Sequence, residues 1–133
     1  MKTDFNPAIF SQNFHDYLIS KELNRDKTIF LANFTPLNVH CTLRIINKLA
    51  DELELYENEC YINRKLKHPN LMQYYQYFFL GQALVSVGPH CEYGTIDKIS
   101  QSFFGLRESI VSLVLSDILK AVDYLHQNLI IHR

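Results

Sequence analysis

The last ten residues, Tyr124-Leu-His-Gln-Asn-Leu-Ile-Ile-His-Arg133, follow a segment with a strong helical period. Apolar residues recur there at steps of three and four, the spacing that places side chains on one face of a helix. They are Ile110, Val114, Ile118, Ala121, Val122 and Leu125. Asn128 is a reasonable C-terminal cap. The pattern predicts a long amphipathic helix that ends shortly before His132 and Arg133.

Upstream of this helix, the sequence contains five strand-like segments and one further helical segment. The strand-like segments are rich in β-branched and apolar residues, and they are 17–22, 27–32, 39–46, 74–80 and 83–87. Gly81-Gln82 separates the last two and is a hairpin signal. Residues 51–67 carry apolar side chains at helical spacing and stop at His68-Pro69-Asn70, because proline disfavours a helical predecessor. This order of elements predicts an α+β fold rather than a regularly alternating α/β fold.

The composition is that of an ordinary globular protein and excludes several functional classes. The chain has 133 residues, of which 47% are hydrophobic and 20% charged, with a net charge of −1. This balance is unlike that of a disordered chain, and it gives no global attraction to nucleic acid or to an anionic membrane. No apolar run reaches the length of a membrane span, and the N-terminus lacks the pattern of a secretory signal. We therefore expect neither a nucleic-acid nor a membrane partner.

The cysteines predict reduced thiols rather than a structural framework. Cys41, Cys60 and Cys91 are odd in number and widely spaced. A disulfide framework needs an even set, and a zinc site needs closely paired ligands. We therefore expect no metal site, and a cytoplasmic protein with the nucleus as the second expected location.

Two anchors in the sequence resemble motifs of eukaryotic protein kinases. Tyr124–Arg133 is similar to the end of the long kinase helix and the first two residues of the catalytic loop, H-R-D-L-x-x-x-N. Glu59 lies nine residues before His68-Pro69-Asn70, where kinases place the glutamate of the small-lobe helix. The resemblance covers most of the chain and implies three parts. These are an irregular lead-in over 1–15, a small lobe with a five-stranded antiparallel sheet and one helix over 16–88, and a hinge with the start of a large lobe over 89–133.

The nucleotide-binding motifs of that family are altered in this chain. Kinases cover the ATP phosphates with a G-x-G-x-x-G loop, whereas the segment from Ser20 contains no glycine and carries Glu22. The V-A-I-K motif reads Cys41-Thr-Leu-Arg44, so arginine replaces the phosphate-binding lysine. We expect Arg44 and Glu59 to form a structural ion pair.

The hinge keeps the backbone that adenine would need. The resemblance places Gly88 at the gatekeeper position and implies that adenine would use the carbonyl of Pro89 and the amide of Cys91. Proline removes only its own amide, so neither bond is lost. The expected nucleotide pocket is therefore a degenerate one, formed by Arg44, Glu59, Pro89 and Cys91, that binds ATP weakly if at all.

Within the kinases, the chain most resembles the STE20-related adaptors, which are pseudokinases. The likeness rests on Tyr17-Leu-Ile, Cys41-Thr-Leu-Arg44, Glu92-Tyr-Gly-Thr95 and Tyr124-Leu-His126. Those adaptors lack catalysis and activate a tumour-suppressor Ser/Thr kinase together with a helical-repeat scaffold protein. The resemblance implies the same role and the same two partners here.

Three readings of the function follow from these expectations. The first is an inactive adaptor, because the chain as given contains only His132 and Arg133 of the catalytic loop and therefore no catalytic residue. The second is the N-terminal fragment of an active ATP-dependent Ser/Thr kinase. The third is a truncated product with little function. The apolar stripe of the last helix lacks most of a large lobe to cover it, so it must fold back on the small lobe, pair with another chain or lie exposed. We expect self-association through residues 110–125 or capture of a partner, because an apolar patch of this size is rarely left open.

Overall fold

The computed structural model describes residues 9–47 and 53–132. It divides the chain into two compact units. The sheet unit contains the described residues of Met1–Leu66 and of Gln73–His90. The helical unit contains the described residues of Lys67–Met72 and of Cys91–Arg133.

The sheet unit is a five-stranded antiparallel sheet with one helix. Its elements are β1 (Tyr17–Glu22), β2 (Ile29–Phe34), β3 (Val39–Asn47), α1 (Leu53–Lys65), β4 (Gln76–Leu80) and β5 (Ala83–Pro89). The strand order across the sheet is β1-β2-β3-β5-β4. This confirms the predicted α+β fold with five antiparallel strands and one helix. The first two residues of the predicted helix 51–67 lie outside the described residues.

Some predicted boundaries were displaced. The bounds of β1 are those predicted, but the second strand begins at Ile29 rather than at Lys27. Lys27 has a positive φ of 52°, a left-handed conformation that belongs to a turn rather than to a strand. The fourth strand begins at Gln76 rather than at Tyr74.

The sheet unit has two hydrophobic clusters. One lies within the sheet and includes the fully buried Leu43, Val85 and Val87. Phe10, from the segment before β1, joins this cluster and stacks on Tyr75 with ring centroids 4.5 Å apart. The described part of the lead-in therefore supplies a core residue, and it also contains a short 3₁₀ helix at Phe14–Asp16. The other cluster packs α1 against the sheet and consists of Ile46, Leu53, Tyr56, Cys60, Tyr74, Tyr77 and Leu84.

The helical unit contains α2 (Ile96–Ser102) and α3 (Glu108–Gln127). The sequence predicted α3 and its C-cap at Asn128, and both are confirmed. It did not predict α2, which Thr95 caps by accepting a hydrogen bond from the amide of Lys98. In the described part of the chain, no helix has the length and apolar character needed to cross a membrane.

The His68-Pro69-Asn70 segment packs on α3 within the helical unit. The ring of His68 stacks on Tyr124, with centroids 5.0 Å apart. The Asn70 side chain donates a hydrogen bond of 2.9 Å to the carbonyl of Asp117. These contacts tie the segment after α1 to α3 at two places.

Candidate functional site: a kinase-like nucleotide pocket

The turn between β1 and β2 is the segment that the kinase resemblance assigns to phosphate binding, and the side chain of one asparagine closes it. The Asn24 Oδ1 atom accepts hydrogen bonds from the amides of Thr28 and Ile29, at 3.0 and 2.9 Å. Its Nδ2 group donates to Thr28 Oγ1 at 2.9 Å. The amides of Leu23 and Lys27 donate to the carbonyls of Ile29 and Asn24. Four backbone amides of this turn therefore donate within the turn itself.

Charged side chains flank the same turn. Glu22, the last residue of β1, has its carboxylate 3.9 Å from the Lys27 ammonium, and both side chains are more than half exposed. A carboxylate at this position repels an anionic ligand. The lysine that accompanies it is already in an ion pair.

Arg44 on β3 and Glu59 on α1 form the predicted ion pair. The Arg44 Nη1 atom lies 3.4 Å from Glu59 Oε2, and the two side chains are 34% and 48% exposed. The guanidinium carbon also lies 4.1 Å from the centre of the Tyr56 ring, which is a cation–π contact. Arg44 is thus held by two residues of α1.

A buried hydrogen bond supports this arrangement from the sheet. The hydroxyls of Tyr56 and Ser86 are hydrogen-bonded to each other, and Ser86 has no exposed surface. Ser86 lies directly opposite Arg44 in the pairing of β3 with β5. A polar atom in the core needs such a partner, because leaving it unpaired costs about 1–3 kcal/mol. The bond therefore fixes Tyr56, and with it the aromatic face that contacts Arg44.

Tyr74 connects the Arg44–Glu59 ion pair to β5, the strand that ends at the predicted hinge. Its hydroxyl donates a hydrogen bond of 2.9 Å to Glu59 Oε1. Its ring lies against Gly88, where a Cβ atom would come within 3.1 Å of the ring carbon Cδ1. Thr42, which stands where the V-A-I-K motif has alanine, lies opposite Gly88 in the sheet. The space beside Gly88 is therefore taken by an aromatic ring.

The electrostatics keep these groups in their ordinary charge states. Burial raises the pKa of the Tyr74 and Tyr56 hydroxyls, so both stay protonated at neutral pH. For Arg44, burial acts to lower the pKa, but Tyr56 and Glu59 outweigh it and the pKa lies above its usual value. The guanidinium remains a cation, and the Tyr74 hydroxyl remains a donor to Glu59.

The protein-kinase domain family matches residues 39–133, which is well over half of the chain. The chain belongs to the protein-kinase family. Among its relatives, the human STE20-related kinase adapter protein beta is 26% identical over 98% of this chain and 34% of its own length. The mouse STE20-related kinase adapter protein alpha is 28% identical over 87% of this chain and 28% of its own length. Mouse mitogen-activated protein kinase kinase kinase 4 is 30% identical over 68% of this chain and 5% of its own length.

The chain thus spans about a third or less of the lengths of these kinase-family relatives. The similarity to STE20-related adaptors that the sequence indicated is confirmed. The assignment of individual residues to a nucleotide pocket stays a prediction.

The remaining predicted site residues of this kinase-like chain lie at the end of the sheet and in the helical unit. Pro89 is the last residue of β5 and is half-buried. Cys91 is exposed, and its carbonyl accepts a hydrogen bond of 3.0 Å from the amide of Gly94. His132 is exposed beyond α3, and Arg133 lies outside the described residues. Of the predicted pocket residues, Arg44 and Glu59 contact each other.

Sequence analysis missed Asn24, Tyr56, Tyr74 and Ser86. Asn24 had a local signal, because asparagine side chains commonly bond the backbone of the turn that follows them. The other three had none. Their contacts join residues far apart in the chain and exist only once α1 packs on the sheet.

An open cleft of about 480 Å³ lies on the sheet unit beside α1. Its lining is largely aromatic and includes Tyr61 and Phe79, which are both more than half exposed. Glu57 and Arg64, which lie about two helical turns apart on α1, also line it. The cleft is large enough for a small ligand or a docked segment, and its lining carries both an acidic and a basic side chain.

Proposed function

We propose that the chain is a catalytically inactive, kinase-like adaptor that activates a Ser/Thr protein kinase. The observation that carries the proposal is the β1–β2 turn. A kinase holds the ATP phosphates with backbone amides of a glycine-rich loop. In this chain, the Asn24 side chain and neighbouring carbonyls accept hydrogen bonds from four backbone amides of the β1–β2 turn.

The contacts of Arg44 are the second observation that supports the proposal. In an active kinase, the corresponding lysine contacts the phosphates while it pairs with the helix glutamate. Arg44 instead lies between the Glu59 carboxylate and the face of Tyr56. A guanidinium in that position serves to hold α1 on the sheet. The small lobe would then keep an active-like arrangement without nucleotide.

The adaptor role itself is supported by the relatives. Two of them are named STE20-related kinase adapter proteins. We propose that this chain binds a Ser/Thr kinase and a helical-repeat scaffold, and that the cleft beside α1 accepts a helix of the scaffold. Grooves with exposed aromatic rings commonly bind the apolar face of a helix. We propose a cytoplasmic location, with the nucleus as the second.

Nucleotide binding is the first test. Calorimetric titration of the purified chain with ATP should give a Kd weaker than about 1 mM, a binding free energy below about 4 kcal/mol. Magnesium should change this little. A variant with glycine at Ser20, Glu22 and Arg25 should gain affinity for ATP. The control is Thr35→Gly, in the turn that follows the other end of β2. Tight binding by the unaltered chain that magnesium strengthens would refute the proposal.

Kinase activation is the second test. The purified chain is added to the Ser/Thr kinase and scaffold that the STE20-related adaptors activate, and phosphate transfer by that kinase is measured. We expect stimulation that falls with Tyr61→Glu in the cleft and persists with Leu18→Glu, an exposed leucine on β1. The chain alone should transfer no phosphate.

An active kinase that contains this chain is the second candidate function. The retained Arg44–Glu59 ion pair favours it, because active kinases need that pair. Phosphate transfer by a longer protein that contains this chain, abolished by Arg44→Ala, would decide for this candidate.

A further inference from the structure

Tyr74, two residues before β4, is hydrogen-bonded to α1 at two of its atoms. Its hydroxyl donates a hydrogen bond of 2.9 Å to the Glu59 Oε1 atom. Its backbone amide donates one of 3.0 Å to the Asn63 Oδ1 atom. Glu59 and Asn63 are four residues apart, so they are neighbours on one face of the helix. A single residue outside α1 therefore binds two successive turns of it.

Asn63 also binds the strand that follows Tyr74. Its Oδ1 atom accepts a second hydrogen bond, of 2.7 Å, from the hydroxyl of Tyr77 on β4. The rings of Tyr74 and Tyr77 meet edge to face, with centroids 5.4 Å apart, and both residues are buried. A buried polar group that loses its partner is destabilised, so these bonds favour one position of α1 on the sheet.

Gly88 on β5 leaves room for the Tyr74 ring. A Cβ atom at residue 88 would lie 3.1 Å from the ring carbon Cδ1 and 3.5 Å from Cε1. Carbon atoms prefer separations of about 3.5–4.0 Å, so even an alanine would press on the ring and a larger side chain would displace it. Gly88 does not have a positive φ, so the glycine supplies space rather than an unusual backbone conformation.

The Tyr74 hydroxyl also bears on the Arg44–Glu59 ion pair. One carboxylate oxygen of Glu59 accepts the bond from Tyr74, and the other lies 3.4 Å from Arg44 Nη1. The hydroxyl is at the far end of the ring, so a ring displaced from residue 88 would lose its bond to Glu59. The end of β5 and the position of α1 are thus connected through one side chain.

From this geometry we propose that Tyr74 is a latch that holds α1 on the sheet, and that the size of residue 88 determines whether the latch closes. With glycine at residue 88, the ring is seated and the latch is closed without any ligand. A larger residue 88 opens it, and α1 then leaves the position in which Glu59 meets Arg44. The inference concerns the sheet unit alone, so it stands or falls separately from the proposed adaptor function.

The test is hydrogen exchange of the native 133-residue chain, measured by mass spectrometry on peptides from α1 and from β2. Tyr74→Phe keeps the ring and removes the hydroxyl, so exchange in α1 should become about tenfold faster while exchange in β2 is unchanged. Gly88→Val should accelerate exchange in α1 by at least about 30-fold, because it displaces the whole ring. Ala83→Val, which enlarges a side chain at the other end of β5, is the control and should leave α1 unchanged.

A double-mutant cycle separates the latch from general damage to the core. In the Tyr74→Ala background the ring is gone, so Gly88→Val should no longer accelerate exchange in α1. Gly88→Ala, which adds only the Cβ atom, serves for the same cycle with a smaller acceleration if the valine variant does not fold. An equal effect of residue 88 with and without the ring would overturn the proposal. Unchanged exchange in Tyr74→Phe, or equal acceleration in α1 and β2, would overturn it as well.

Discussion

The sheet unit and the helix α3 use their apolar side chains in opposite ways. In the sheet, Leu43, Val85 and Val87 have no exposed surface, and strands and helix cover one another. In α3, Ile118, Leu113 and Leu119 are each more than half exposed. The first region therefore contains the contacts that stabilise it, whereas α3 leaves several apolar side chains exposed within the described residues.

Because of this difference, the two regions contribute unequally to the stability of the fold. Burial of apolar surface contributes about 25 cal/mol per Å², so the sheet unit holds most of the hydrophobic stabilisation described here. Substitutions in the sheet core should therefore lower the free energy of unfolding more than substitutions on the exposed side of α3.

The largest expected difference is between two leucines. Leu43→Ala in the sheet core should lower the free energy of unfolding by about 2–5 kcal/mol, because it leaves a cavity. Leu113→Ala on α3 should change it by no more than about 0.5 kcal/mol, as at most exposed positions. Urea unfolding followed by circular dichroism measures both. Equal losses would show that the exposed side of α3 also stabilises the fold.

The ion pairs of the two regions should differ in coupling free energy, but by less than the two leucines differ in their effect on the free energy of unfolding. A double-mutant cycle of Arg44→Ala with Glu59→Gln should give a coupling free energy of about 0.5–1 kcal/mol, since Arg44 is partly buried and also contacts Tyr56. The matched cycle of Lys120→Ala with Asp117→Asn should give about 0.3 kcal/mol or less. A larger coupling on α3 than in the sheet unit would contradict this order.

Thiol reactivity gives the smallest and most local comparison. Cys91 is exposed in the helical unit, whereas Cys60, a residue of α1, is buried in the cluster between α1 and the sheet. Burial raises the pKa of the Cys60 thiol to about 12, so almost no reactive thiolate exists there at pH 8. A thiol reagent at pH 8 should label Cys91 rapidly and Cys60 only after unfolding.

The pH series sharpens this prediction. In a Cys41→Ser, Cys91→Ser variant, which leaves Cys60 as the remaining thiol, native-state labelling of Cys60 should stay slow well above pH 8, because deprotonation of the thiol follows its raised pKa. The reaction is measured by absorbance of the released chromophore. Rapid labelling of that variant at pH 8 would mean that α1 opens readily from the sheet.

Local patterns were enough to predict the elements but not the site. The bounds of β1 and the C-cap of α3 follow from alternation and capping, which neighbouring residues determine. The start of β2 was misplaced because a single side chain, Asn24, draws Thr28 into the preceding turn. Tyr74 was assigned to a strand, and its role at Glu59 depends on packing between α1 and the sheet.

The ring of Tyr74 also offers a means of chemical control. It lies against Gly88, and its hydroxyl contacts Glu59. Replacing it by alanine would leave a ring-sized hole beside Gly88, with the half-exposed Glu59 carboxylate at one end. Cavities left by deleted core side chains can accept small aromatic molecules. A phenol added to the Tyr74→Ala protein would then restore both the packing and the hydrogen bond, and so place the position of α1 under the control of a small molecule.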